Sequence, residues 1–302
     1  MLDGTAFRST LAIELLNVFT GPAFEMLTVA RFRSRLHDLL TSDVIAVGVS
    51  VDGRPIGLGL AELSVRDRRG NILSLFVAES YRHRGIGTDL LKRLEGELRN
   101  QGCAALEMVY SSGHSWTTPL ERILERDGWW GPEVRHLICI GKQRDLAPPW
   151  LRRRSALAGF EIVSWSAITE QDRKILLADQ ERQPWYPQTL TPLMDEQTVD
   201  QATSLCLRHH GEIAGWLISQ RVTANTIGCR SLFVRTELRH HGCGLRLAAE
   251  AIHRQSIHHG PDSFFTFAAS VNNAPMMRFA HRLEPYLAAM RETRVARKHL
   301  LD

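Results

Sequence analysis

No hydrophobic run in this 302-residue sequence approaches the roughly 20 residues that would span a bilayer, so no membrane partner is expected. Cysteine is sparse and shows no pairing pattern. The five, Cys103, Cys139, Cys206, Cys229 and Cys243, are scattered, odd in number and form no C-x-x-C. That argues against a disulfide framework and a zinc site, and for reduced, mostly buried thiols. The N-terminal M-L-D-G-T-A-F-R has no basic region leading into an apolar stretch, so no secretory leader is read and a cytoplasmic location is expected. No G-K-[ST] occurs, which removes a Walker A loop. The net charge of +4 suits a small polyanionic ligand but is too small to imply nucleic acid. Adjacent histidines, as in His209-His210, His240-His241 and His258-His259, point apart on a strand and share no helix face, so no metal is expected.

What the sequence does contain is a repeat. Residues 74–91, S-L-F-V-A-E-S-Y-R-H-R-G-I-G-T-D-L-L, and 231–248, S-L-F-V-R-T-E-L-R-H-H-G-C-G-L-R-L-A, agree at nine of eighteen positions with an offset of 157. Unrelated segments would share about one. Gly53 and Gly57 recur as Gly211 and Gly215. Each copy reads as a strand, a glycine turn, a second and a third strand, a Gly-containing loop and an amphipathic helix, marked in the first copy by Leu90, Leu91, Leu94 and Leu98. A further strand and helix follow. The expectation is therefore an α/β (α+β layered) protein of two tandem domains, each a mixed central sheet flanked by helices. The boundaries read as 1–146, a linker at 147–154 around Pro148, Pro149 and Arg152-Arg153-Arg154, and 155–302.

The chemistry-bearing unit is a strand, then R-x-x-G-x-G, then a helix: Arg82, Gly85, Gly87 in the first copy and Arg239, Gly242, Gly244 in the second. Glycines at such a junction let backbone approach a ligand, and the helix N-terminus favours phosphate. A third glycine and a following acidic residue, needed for a dinucleotide fold, are not found in place. The unit resembles motif A of the GNAT superfamily. That resemblance implies an acyl-CoA co-substrate and an amine acceptor. It implies that the loop Arg82, His83, Arg84, Gly85, Ile86, Gly87, Thr88 grips the pyrophosphate, with Arg239, Gly242 and Gly244 in the same role. Phe76 and Val77, or Phe233 and Val234, would pair with the pantetheine. Asn273, in an N-x-x-M start, would touch pantetheine too. The unbranched access through Gly85 and Gly87, with Arg82, Arg84, Lys92 and Arg93 available for phosphates, makes the first copy the expected main site and the second degenerate or acceptor-binding. On this reading Gly87→Val places a branched side chain against the pyrophosphate.

The resemblance is incomplete. The position of the family's usual tyrosine acid is Leu124 in one copy and Ala280 in the other; the small Ala280 is expected to open a tunnel for a fatty chain, and Leu124 to line one without a polar hydroxyl. Candidates for proton transfer are Glu62 on a strand, His114 in S-S-G-H-S-W and Tyr286. The segment Arg182 to Leu193, with Trp185 and Tyr186 among prolines, reads as an aromatic lip on an acceptor groove. The tandem layout also resembles maturases that attach fatty acyl groups to lysine or ornithine side chains of ribosomal peptides. The competing class is a non-catalytic acyl-CoA-binding or peptide-binding module, which the missing tyrosines would suit.

Overall fold

The computed structural model describes residues 10–39, 43–146, 148–151 and 158–300. The run Arg152-Arg153-Arg154 lies outside them. The chain divides into two compact units: unit 1 is 1–135 with 293–302, and unit 2 is 136–292. The division proposed from composition, at 147–154, assigns residues 136–146 and 293–302 to the opposite copies.

Unit 1 contains β1 (Leu11–Leu15), a short helix α1 (Ala30–Arg33), β2 (Val44–Val51), β3 (Arg54–Ser64), β4 (Arg69–Val77), α2 (Ile86–Asn100), β5 (Ala105–Ser111) and α3 (Thr117–Arg126). The first four strands are antiparallel neighbours in sequence order. β2 and β3 are joined by the two-residue turn Asp52-Gly53, both at positive φ (49° and 77°), the backbone a tight hairpin requires. β4 and β5 run parallel, as they must when a helix crosses between them. The far edge of β5 is covered by residues Thr293–His299, the end of the last strand of the chain.

Unit 2 repeats this order. β6 (Trp130–Lys142) enters it at His136, followed by β7 (Phe160–Ser164), α4 (Glu170–Arg182), β8 (Leu205–His209), β9 (Glu212–Thr223), β10 (Thr226–Val234), α5 (Cys243–His259), β11 (Phe264–Ser270), α6 (Ala274–Leu283) and β12 (Ala289–His299). The β8–β9 turn is His210-Gly211, again with both residues at positive φ. β10 and β11 are parallel, and β11 is covered on its other edge by His136–Lys142. Among the described residues each unit has six strands with one parallel pair, counting Thr293–His299 of β12 in unit 1 and His136–Lys142 of β6 in unit 2, so the strand beside β5 or β11 is supplied by the C-terminal strand of the other sequence copy.

The helical stripe read in the sequence is buried as expected. Leu90, Leu91, Leu94 and Leu98 of α2 are all fully buried, against Val47, Val49, Ile72, Leu106 and Met108. Burying each stabilises by about 1.5–3 kcal/mol.

Candidate functional site

In each unit the parallel pair opens after four residues. β4 pairs with β5 from Arg69↔Ala105 to Ile72↔Met108, and β10 with β11 from Thr226↔Phe264 to Cys229↔Phe267. The next residue, Leu73 or Arg230, is an extra residue bulged out of the ladder to the preceding strand. A bulge bends its strand, and here it coincides with the separation of the parallel neighbours. The two bulges share one repeat position, so the opening is built into the unit. Beyond it, Ser74–Val77 still pair with β3 but have left β5, which leaves one row of backbone donors and acceptors for a ligand to meet.

The loop closing this opening in unit 1 is held by Arg82, whose Nε donates to the Val77 carbonyl at 3.0 Å. Arg239 does the same to Val234 at 3.0 Å. The motif arginine therefore ties the strand end to the loop. Gly85 (φ 84°) and Gly242 (φ 72°) are the left-handed residues that cap α2 and α5. A Cβ on Gly85 would meet nothing within 4 Å, so glycine is kept there for its conformation. Gly87 differs. Its Cβ would lie 3.3 Å from Ile123 Cδ1 and 3.8 Å from Val77 Cγ2, inside the protein. The expectation that Gly87→Val would reach the pyrophosphate is thus corrected: this glycine lets α2 approach α3 and β4.

The two loops are not equivalent. In unit 1 His83 is also left-handed (φ 62°), a strained conformation for a residue with a Cβ, and His83, Arg84 and Gly85 are exposed. Ile86 is buried, while Gly87 and Thr88 are half-buried; the Thr88 N–H bonds to the Gly85 carbonyl at 2.9 Å. Phe76 and Val77 are half-buried, whereas their counterparts Phe233 and Val234 are buried. In unit 2 the rings of His240 and His241 lie against each other at 4.0 Å, and His241 faces Phe160 at 5.5 Å.

The proton-transfer candidates fall in different places. Glu62 sits opposite Asn71, where β4 is still joined to β5, and its carboxylate takes the Arg35 guanidinium at 2.9 Å. His114 follows the free end of β5, its ring stacked on Trp116 at 4.9 Å and 8°, its backbone N–H donating to Thr117 Oγ1. Tyr286 packs into an apolar cluster with Leu146, Phe265 and Leu283 in unit 2. Asn273 caps α6, accepting from the Met276 N–H at 3.2 Å. A polar group not singled out in the sequence lies past the opening on β5. Tyr110 donates to Glu121 at 3.0 Å, and Glu121 also accepts from Arg294 at 2.8 Å. Burial first, then the bond and charge of Glu121, push the Tyr110 phenol well above its usual range.

Of the expected aromatic lip, Tyr186 is a core residue, edge-on to Trp216 at 4.9 Å, while Trp185 carries the Arg235 guanidinium over its ring at 4.1 Å. An open cleft of about 520 Å³ runs between Pro184, Trp185 and Pro187 on one side and Phe233, Thr236 and Arg239 on the other. Among the described residues no group of three or more His, Cys, Asp or Glu could hold a metal, and no helix is long and apolar enough to cross a membrane.

The profile of the acetyltransferase (GNAT) family matches residues 12–115 and 170–284. Among solved structures, a tandem GNAT protein from the clavulanic acid biosynthesis pathway superposes with a TM-score of 0.69 at 16% identity, covering 96% of this chain and 98% of that one. A GCN5-related N-acetyltransferase from Sphaerobacter thermophilus gives 0.61 at 18% identity, covering 97% and 96%. At such identities the likeness concerns the fold. No curated protein matches the chain.

Proposed function

Because the chain belongs to the acetyltransferase (GNAT) family, we propose that it transfers an acyl group from acyl-CoA to an amine, with the main acyl-CoA site in unit 1. The observation that carries the assignment is the asymmetry of the two openings. Unit 1 keeps a strained, exposed loop beside half-exposed Phe76 and Val77; unit 2 buries the equivalent strand end. Strain of this kind persists where a ligand site requires it. The fit to a pyrophosphate rests on Arg84, on the open space around Gly85 and on the N–H groups of Ile86 and Gly87, for which the helix itself supplies no acceptor.

Bound acyl-CoA supplies an activated thioester carbonyl. The neutral amine attacks that carbonyl, the C–N bond forms as the C–S bond breaks, the amine gives up a proton and the thiolate takes one. Leu124 and Ala280 cannot serve the thiolate, so His114, beside the free end of β5, is our choice for moving that proton. His114→Gln should lower kcat tenfold to a hundredfold with little change in the KM for acyl-CoA. A change in KM alone would remove it from this role. The acceptor we favour, on the strength of the sequence resemblance, is a Lys or Orn side chain of a peptide.

The deciding experiment is release of free CoA from acyl-CoA with an amine acceptor present. No release, with binding intact, would leave the non-catalytic module. A β-branched residue cannot adopt the φ of Gly85, so Gly85→Val should weaken acetyl-CoA binding at least tenfold by calorimetry, and Gly242→Val should matter less. The reverse order would move the main site to unit 2.

A further inference from the structure

The repeat that makes the two units alike also locates where they differ in their interiors. Along the buried face of α2 the leucines are 90, 91, 94 and 98, all without exposed surface. At the same offset of 157, α5 carries Leu247, Ala248, Ala251 and Gln255. Three leucines of unit 1 are thus replaced in unit 2, two of them by alanine. Each such replacement in a close-packed interior leaves space unless a neighbour grows to fill it.

Here the space remains. A cavity of about 70 Å³ lies under α5, lined by Ala248, Ala251 and Gln255 and by Leu232, Phe267 and Phe279, among others. Gln255 is tied down at one end, its Nε2 donating to Ser263 Oγ at 3.2 Å and to the Phe264 carbonyl at 2.9 Å. Leu232 belongs to the segment of β10 that has left β11, and Phe267 is at the last pair before the separation. The cavity therefore begins at the opening and continues beneath the helix. Ala280, expected from the sequence to create such space, is fully buried and does not line it; the alanines that do are on α5.

We propose that this cavity receives the hydrocarbon end of an acyl thioester of about four carbons bound at the unit 2 opening, so that the two units differ in the acyl chain they accept. The proposal rests on the acyl-CoA reading above. The size sets the chain: at roughly 30 Å³ per water-sized group, 70 Å³ holds two or three methylenes. Butanoyl adds two to acetyl. Decanoyl adds eight, far more than the space holds. Unit 1, with Leu91, Leu94 and Leu98 in place, has this volume filled.

The test is calorimetry on the full chain carrying Gly85→Val, which weakens the unit 1 loop, titrated with acetyl-CoA, butanoyl-CoA and decanoyl-CoA. Each buried methylene is worth about fourfold in affinity, so butanoyl-CoA should bind at least tenfold tighter than acetyl-CoA, and decanoyl-CoA should gain nothing further. Ala248→Leu and Ala251→Leu, made separately, restore the unit 1 residues and should each abolish the butanoyl preference while acetyl-CoA still binds. A thermal melt reports that each variant is folded, and Ala251→Val is a smaller filling if a leucine proves too large. Acetyl-CoA and butanoyl-CoA binding alike, or a preference that survives both fillings, overturns the proposal. Failure of every CoA ester to bind the unaltered protein would instead overturn the acyl-CoA reading itself.

Discussion

Residues 1–146 produced alone should show no cooperative unfolding transition, whereas 1–135 joined to 293–302 by a Gly/Ser linker of about ten residues should melt cooperatively. The reason is the supply of strands. Unit 1 is closed by Thr293–His299, which pair with β5 from Ser111 to Ala105. The same segment places Ala296 and Leu300 in the core around α2, and the Leu300 N–H bonds to the Ala104 carbonyl at 2.9 Å. Residues 1–146 lack all of this and carry instead His136–Lys142, whose partner β11 is absent. An open β5 edge is also a template for aggregation. The complementary piece, 150–302, loses the strand covering β11 and should be equally poor. Circular dichroism melts of the three chains test this. If 1–146 unfolds as sharply and at the same temperature as the joined chain, the exchanged strand is dispensable.

A single side chain on that strand should matter nearly as much. Lys298 Nζ lies 2.6 Å from Glu95 Oε2 and 2.7 Å from Asp127 Oδ2, and Trp129 Nε1 donates to Glu95 at 2.7 Å. All three charged side chains are largely buried, Glu95 the most at 6% exposed. Lys298→Met keeps the stem but leaves two buried carboxyls without their cation, which should cost about 3–5 kcal/mol at pH 7.

The pH dependence follows from the directions of the shifts. Burial raises the pKa of Glu95 despite its bond from Lys298. Burial acts the same way on Asp127, but the bonds with Lys298 and Glu95 and the Lys298 charge outweigh it and hold the pKa down. Burial alone would lower Lys298, yet its bonds to Asp127 and Glu95 raise it. The depressed Asp127 contributes stability above the ordinary carboxylate range, lost as the pH falls through its lowered pKa. The raised Lys298 contributes below the ordinary lysine range, lost as the pH climbs through its raised pKa. Glu95 works against the fold when ionised. Without Lys298 both carboxyls favour protonation, so the deficit of Lys298→Met should shrink as the pH falls from 7 toward about 4. Urea unfolding at both pH values measures it. An equal deficit at each, or one under about 1 kcal/mol at pH 7, would contradict the account.

That the sequence carries two copies of one α/β unit was legible directly, because hydrophobic periodicity and glycine turns are local properties. β2, β3, β4, α2, β5 and α3 stand where the patterns in residues 44–126 indicate. The glycine at position 85, just before a helix, was equally local, though its left-handed φ is seen only in the structure. The edge strand β12 was not legible. Its sequence, A-M-R-E-T-R-V-A-R-K-H, has no apolar alternation, and its charges make sense only beside Glu107, Glu121, Glu133, Glu95 and Asp127, some 160 to 200 residues away. Period-2 patterns also never name a strand's partner. Glu62 could be read from its strand as a candidate base, but its ion pair with Arg35 is made only by folding. Gly87 and Gly85 are alike in the motif, and only the packed helices show that one faces Ile123 and the other solvent. The alanines of α5 could be read against the leucines of α2 in sequence, but whether neighbours close the gap depends on side chains from four other elements. Local pattern set the elements and the repeat; partner choice, ion pairing and empty volume belong to contacts between distant residues, which tertiary structure alone decides.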